Sequence, residues 1–166
     1  NQGWAKVEKD SYGREAVDRK SLVLEDEDLV KEVFSANPRT ILVLQSSFPY
    51  AINWSQAHLP AILHMTHCSQ ETGTALADVL FGDFNPGGRL TQTWPRSLKD
   101  LPDLLDYDLR NGHTYLYSKA DPLYPFGFGL SYSAFEYRRL EGPSEVGKDG
   151  MISLSVTVAN KSERDG

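Results

Sequence analysis

Thr40-Ile41-Leu42-Val43-Leu44-Gln45 is a short apolar, β-rich run. A strand that is apolar at consecutive positions, instead of at every second one, is typical of burial on both faces, the environment of a parallel sheet. The flanking sequence agrees. Asp26 to Ala36 has helical periodicity, with Leu29, Val30, Val33 and Phe34 on one face. Acidic residues crowd its first turn, where the helix dipole favours them, and Asn37-Pro38 stops it. Ser46 to Tyr50 reads as a loop, Trp54 to His58 as a short helical segment and Ala61 to Met65 as a second strand. Glu71 to Phe81 reads as a further helix, with Ala75, Leu76, Val79 and Leu80 on its apolar face and Gly82 ending it. Asp83 to Arg89 is turn chemistry, and Leu90 to Trp94 is one more candidate strand. This alternation predicts an α/β fold with a parallel-rich sheet covered by helices on both faces.

The character changes after about residue 95. Residues 96–131 are loop-like and rich in Pro, Gly, Tyr and Asp. Phe135-Glu136-Tyr137 and Ile152 to Val158 then alternate apolar with polar, the period of a half-buried strand, with a surface loop from Gly142 to Gly150 between them. Two or three strands make no stable sandwich alone, so an all-β segment is expected to begin here and to be cut short at Gly166.

Of the 166 residues, 40% are hydrophobic and 24% charged, as in ordinary globular chains, and the net charge is -6. An acidic balance argues against nucleic acid, whose phosphates need clustered Lys and Arg. No stretch approaches the roughly 20 apolar residues that span a bilayer. Residues 1–24 read as a long polar loop, and Asn1 to Asp10 has no apolar signal region. The lone Cys68 forms no internal disulfide.

Several segments carry candidate chemistry, each beside a plainer reading. Glu15 lies near two arginines and Asp18. It is either a proton donor, once desolvated, or part of a surface salt-bridge cluster. His64 and His67 are spaced like a helical pair, but they fall at the end of a strand and so point to opposite faces. A zinc site needs more ligands at fixed spacing, so no metal is expected. Glu71, in Gln70-Glu71-Thr72-Gly73, opens a helix directly after a strand, where ligands of parallel sheets usually bind; it also suits the helix dipole without any function. Phe126-Gly127-Phe128-Gly129-Leu130-Ser131 lacks the third glycine of a dinucleotide loop and reads as a tightly packed turn. No nucleophile elbow, phosphate loop, redox cysteine pair or calcium loop is present.

Five segments in order resemble the C-terminal region of glycoside hydrolase family 3. They are Glu15-Ala16-Val17-Asp18-Arg19 with Leu22 and Leu24; Asn37 through Leu44; Gln70 to Gly73 with Ala75 to Asp83; Asn85 to Leu90 with Thr93-Trp94-Pro95; and Leu123 to Tyr132 with Phe135. The resemblance spans nearly the whole chain. It departs where many members have Pro-Gly before the Gln-Glu pair and this chain has Cys68-Ser69.

The resemblance implies a layout: an N-terminal barrel absent from this chain, then an α/β sandwich domain over residues 1–131, incomplete at its start, then the beginning of a fibronectin type III-like domain over 132–166. It also implies a β-glucosidase or β-xylosidase that acts on oligosaccharides or β-glycosides, with neither cofactor nor membrane nor nucleic-acid partner. The barrel would hold the nucleophilic Asp. The acid/base falls on Glu15, three residues before Asp18-Arg19, with Glu71 as the alternative. Trp4, Tyr12 and Arg19 are the candidate substrate contacts. Export, to the periplasm or outside the cell, fits the family. The rival readings are a non-catalytic carbohydrate-binding or interdomain module, and a doubly wound nucleotide domain, which would need the missing phosphate loop.

Overall fold

The computed structural model of the chain describes residues 22–67 and 69–166. Along the chain run α1 (Glu27–Ala36), β1 (Ile41–Gln45), α2 (Asn53–His58), β2 (Ala61–Met65), α3 (Thr72–Phe81), α4 (Thr114–Tyr117), β3 (Phe135–Glu141) and β4 (Ser155–Asn160). Short 3-10 turns lie at Leu98–Asp100 and Leu109–Asn111. The architecture is mixed α/β. Among the described residues no helix is long and apolar enough to cross a membrane. The chain divides into two compact units.

The first unit comprises the described residues up to Ser69 together with Leu90–Phe128. Its centre is the parallel pair β1–β2, in register from Ile41↔Ala61 to Gln45↔Met65 and connected through α2. Apolar side chains from several separate segments close over this pair. Leu44, Ile52, Trp94, Leu123 and Tyr124 form the buried core, and Leu24, Leu42, Tyr50, Ile62 and Leu90 pack around it. The predicted α1 face is only half used: Val30 and Phe34 are partly buried, whereas Leu29 and Val33 are exposed. The reason is a narrow contact, in which Phe34 meets Trp54 of the six-residue α2 edge-on at 5.8 Å. Asn37 ends α1 in an extended conformation ahead of Pro38, and its N–H caps the Val33 carbonyl.

The expected strand at Leu90–Trp94 does not form. Only an isolated antiparallel bridge joins Trp94 to Tyr124, with a second contact where Leu90 donates to the Phe128 carbonyl at 2.8 Å and accepts from Gly127. Between these contacts Pro125 has no N–H to offer, and Gly127 turns the backbone at φ 80°, so no continuous ladder can run.

The second unit comprises Gln70–Arg89 and Gly129–Gly166. Here α3 ends at Gly82, in the left-handed region at φ 85°. The following turn is organised by Asn85. Its side-chain amide donates to Ser133 Oγ and to the Asp165 carbonyl, each at 2.8 Å, while its oxygen accepts from Ser131 Oγ and the Tyr132 N–H. Tyr132 donates its hydroxyl to the Val79 carbonyl at 2.7 Å. Gly129 passes so close that an added Cβ would lie 2.5 Å from the Gly88 carbonyl oxygen, so the glycine here is required by contact. The strands β3 and β4 form an antiparallel ribbon with a register shift between Tyr137 and Arg139. Its second strand starts at Ser155, where the sequence placed it at Ile152. Pairing stops at Glu141↔Ser155, because Gly142 leaves the ladder and residues 152–154 have no opposite strand.

Candidate functional site

Both parallel strands end beside a small polar network in the first unit. Ser46 follows β1 directly, is 3% exposed, and donates its backbone N–H to the Met65 carbonyl at 3.0 Å. Its hydroxyl lies 3.0 Å from the Phe48 carbonyl and 3.1 Å from His64 Nε2. A carbonyl can only accept, so Ser46 donates to Phe48 and His64 donates from Nε2 to the serine oxygen. This direction is the reverse of an activated serine, where the histidine would take the hydroxyl proton. The imidazole edge also meets Trp94 at 5.0 Å, and Trp94 in turn meets Tyr124 at 5.8 Å. Tyr124 donates its hydroxyl to Gln56 Oε1.

Burial holds the His64 pKa below the ordinary value of 6.5, and a hydrogen bond to Ser46 opposes this in part. The folded state therefore binds the His64 proton less well than the unfolded chain does. The associated stability is present above the unfolded pKa and is lost as pH falls from about 6.5 through the folded value. NMR titration of the ring is expected to give a midpoint below that of a free histidine, and His64→Gln is expected to flatten stability across that window. A midpoint at or above 6.5 would show that burial does not govern the ring.

Of the residues singled out from the sequence, Glu71 is described, whereas Glu15, Trp4, Tyr12 and Arg19 lie outside the described residues. Glu71 occupies the cap position of α3 and is exposed; its carboxylate accepts from Thr74 Oγ1 at 2.9 Å. Among the described residues no three metal-ligating side chains converge.

The sequence reading overlooked a hollow of about 430 Å³ in the first unit, walled by the segment from Thr91 to Pro95 and by loops between Asp100 and Phe126. Tyr115 and Phe126 stack there at 4.9 Å and 12°. His113 lines the same hollow, and its Nε2 is buried without a hydrogen-bond partner. The available signal was Asn111-Gly112, a turn dipeptide followed at once by a histidine and two tyrosines.

Comparison with known proteins bears on the whole chain. Residues 5–132 match the glycosyl hydrolase family 3 C-terminal domain. A β-glucosidase of Rhizobium radiobacter is 38% identical in an alignment that covers 84% of this chain and 19% of that protein. A β-xylosidase of Formosa agariphila is 35% identical over 80% of this chain and 19% of its own length. Among solved structures, a β-glucosidase of Erythrobacter marinus superposes with a TM-score of 0.78 at 33% identity, covering 93% of this chain and 21% of that one. DesR, a β-glucosidase of Streptomyces venezuelae solved with D-glucose, gives 0.74 at 32% identity over 93% of this chain and 22% of its own. The chain thus spans about a fifth of the length of the proteins it matches. With the family model covering well over half of the sequence, and both the sequence relatives and the fold agreeing with it, this chain belongs to glycosyl hydrolase family 3, as its C-terminal domain.

Proposed function

We propose that this chain is the C-terminal portion of a retaining β-glycosidase that removes terminal β-linked glucose or xylose from oligosaccharides or glycosides. Glu15 supplies the acid/base, Glu71 is the alternative, and the nucleophilic Asp lies on an N-terminal barrel outside this sequence. Residues 1–131 belong to the α/β sandwich domain, and 132–166 open a fibronectin type III-like domain. The observation that carries the reading is the ordered motif set from Glu15-Ala16-Val17-Asp18-Arg19 to Tyr132, in a chain similar to proteins named β-glucosidase and β-xylosidase.

In this chemistry a carboxylate attacks the anomeric carbon while a second carboxyl group, about 5–5.5 Å away, protonates the leaving oxygen; water then releases the sugar with its configuration kept. The donor must be protonated near neutral pH, so burial or a neighbouring carboxylate has to raise its pKa. Glu15, in a segment ahead of α1, would be carried over the mouth of the barrel, and Trp4, Tyr12 and Arg19 would contact the sugar there. Such clefts between domains are common ligand sites.

The direct test is the stereochemistry of the intact enzyme. Proton NMR of the first sugar freed from an aryl β-glucoside or β-xyloside is expected to show the β-anomer. Release of the α-anomer would exclude the retaining pathway. The 166 residues alone are expected to turn over neither substrate, and turnover by them would refute a site shared with the barrel.

A further inference from the structure

Helix α3 is poorly equipped to stand on its own residues. It is 10 residues long, and isolated helices shorter than about 12–15 residues are marginal in water. Thr72, Gly73 and Thr74, all weak helix formers, open it. Its cap residue Glu71 makes no side-chain capping bond. Its first turn holds no acidic residue and its last turn no basic one, so the sequence of α3 leaves its dipole unmatched at both ends. Burial does not make up the difference, because none of its residues is buried. What α3 does have is a C-terminal end fastened from far along the chain.

The last carbonyls of a helix have no partner within it. Here the Val79 carbonyl accepts from the Gly82 N–H at 3.2 Å and also from the Tyr132 hydroxyl at 2.7 Å, and the Gly82 carbonyl accepts from the Arg164 guanidinium. Arg164 thus supplies the cation that the last turn lacks. Both of its ends are held. The guanidinium lies over the Tyr132 ring at 5.5 Å, and the carbonyl accepts from Ser133 Oγ at 2.8 Å and from the Asn160 amide at 2.7 Å. Asn85, just past the helix, binds the same two stretches through Ser131, Tyr132, Ser133 and the Asp165 carbonyl. Those stretches adjoin β3 and β4. We propose that residues 131–133 and 160–165 form a strap that holds α3 helical, so that α3 opens together with β3–β4 and independently of β1–β2. Glu71 caps the other end of α3 and accepts from Thr74 Oγ1, so release of the strap also unseats the alternative acid/base. The strap rests on bonds within the second unit and not on the glycosidase reading.

Hydrogen exchange of the intact enzyme, read by mass spectrometry, tests the strap. Tyr132→Phe removes one hydroxyl and Arg164→Gln one guanidinium, both at exposed positions. Each is expected to speed exchange across the whole of α3 and in β3–β4 by about three- to tenfold, while β1 and β2 exchange as in the parent. Asn85→Ala loses four bonds and is expected to give a larger rise in the same places. If that variant does not fold, the two exposed variants decide. The coupling should also run backwards. Ala75→Gly, exposed on α3, lowers helix propensity without touching the strap, and it is expected to speed exchange at the Tyr132 and Ser133 amides several-fold. Three results overturn the inference. Unchanged exchange in α3 would show that the strap does not hold it. A rise confined to the last turn would reduce Tyr132 and Arg164 to local caps. An equal rise in β1 and β2 would mean that α3 opens only with the whole protein.

Discussion

Glu15→Ala in the intact enzyme is expected to lower turnover of a β-linked disaccharide by about 10²–10⁴-fold, the usual contribution of a positioned proton donor. The leaving group of a disaccharide is a sugar alkoxide, which departs only when protonated. A dinitrophenolate departs without help, so the glycosyl-enzyme should still form from a dinitrophenyl β-glycoside at a rate close to that of the parent. Its hydrolysis should then stall, because the same carboxyl group acts as base toward water in the second step. Azide needs no base, so it should restore turnover and yield the β-glycosyl azide. This pattern separates a lost proton donor from a damaged fold, which would slow both substrates alike and gain nothing from azide. Glu71→Ala is the companion variant. Its carboxylate is exposed and engaged with Thr74 at the start of α3, so its loss is expected to act on that helix terminus. If Glu71→Ala shows the azide-rescued pattern and Glu15→Ala does not, the acid/base role moves to Glu71 and the family assignment is unaffected.

How much of this was legible in the sequence depended on the range of the forces involved. The strand Ala61–Met65 has the bounds read from the sequence, and α1, β1 and α3 each start one residue later than read. These elements are set by local signals: an apolar run, an acidic first turn, Asn37 before Pro38, and Gly82 in a left-handed cap. The errors came where partners are distant. Nothing within Leu90–Trp94 announces that the opposing segment contains Pro125 and a left-handed Gly127. Likewise, the start of β4 is decided by where Gly142 leaves the ladder. Asn85 read simply as a turn residue, whereas its amide joins the end of α3 to Ser133 and Asp165. The hollow was invisible for the same reason: its walls come from Thr91–Pro95, from the 3-10 turn region near Leu101 and from the His113–Phe126 stretch, and no single window carries its signature. The family motifs, in contrast, are linear, so the family was readable while Ser46–His64–Trp94, assembled across three segments, was not.

That assembly carries the second large effect. Trp94 is 3% exposed, meets His64 and Tyr124 edge-on, and anchors its own backbone by donating to the Tyr124 carbonyl and accepting from Leu123, each at 2.8 Å. Trp94→Ala removes an indole from the middle of the first unit's core and leaves a cavity among Leu44, Ile52, Leu123 and Tyr124. A buried Trp→Ala change costs about 3–5 kcal/mol, a large share of the ~5–15 kcal/mol that stabilises a typical domain. Pulse proteolysis across a urea series should therefore place the cleavage midpoint of the variant well below that of the parent, with Trp94→Phe between them. A midpoint unchanged in Trp94→Ala would mean that the indole is not a core residue. His64 provides an independent reading of the same event. Burial is the main cause of its lowered pKa, and the indole covers one edge of its ring. Opening the core to water should let the His64 midpoint rise toward the ordinary 6.5 in Trp94→Ala, even under conditions where the variant is still folded. A stability loss without that rise would place the damage at the Trp94–Tyr124 bridge, and both together would place it at the indole's cover over the strand ends.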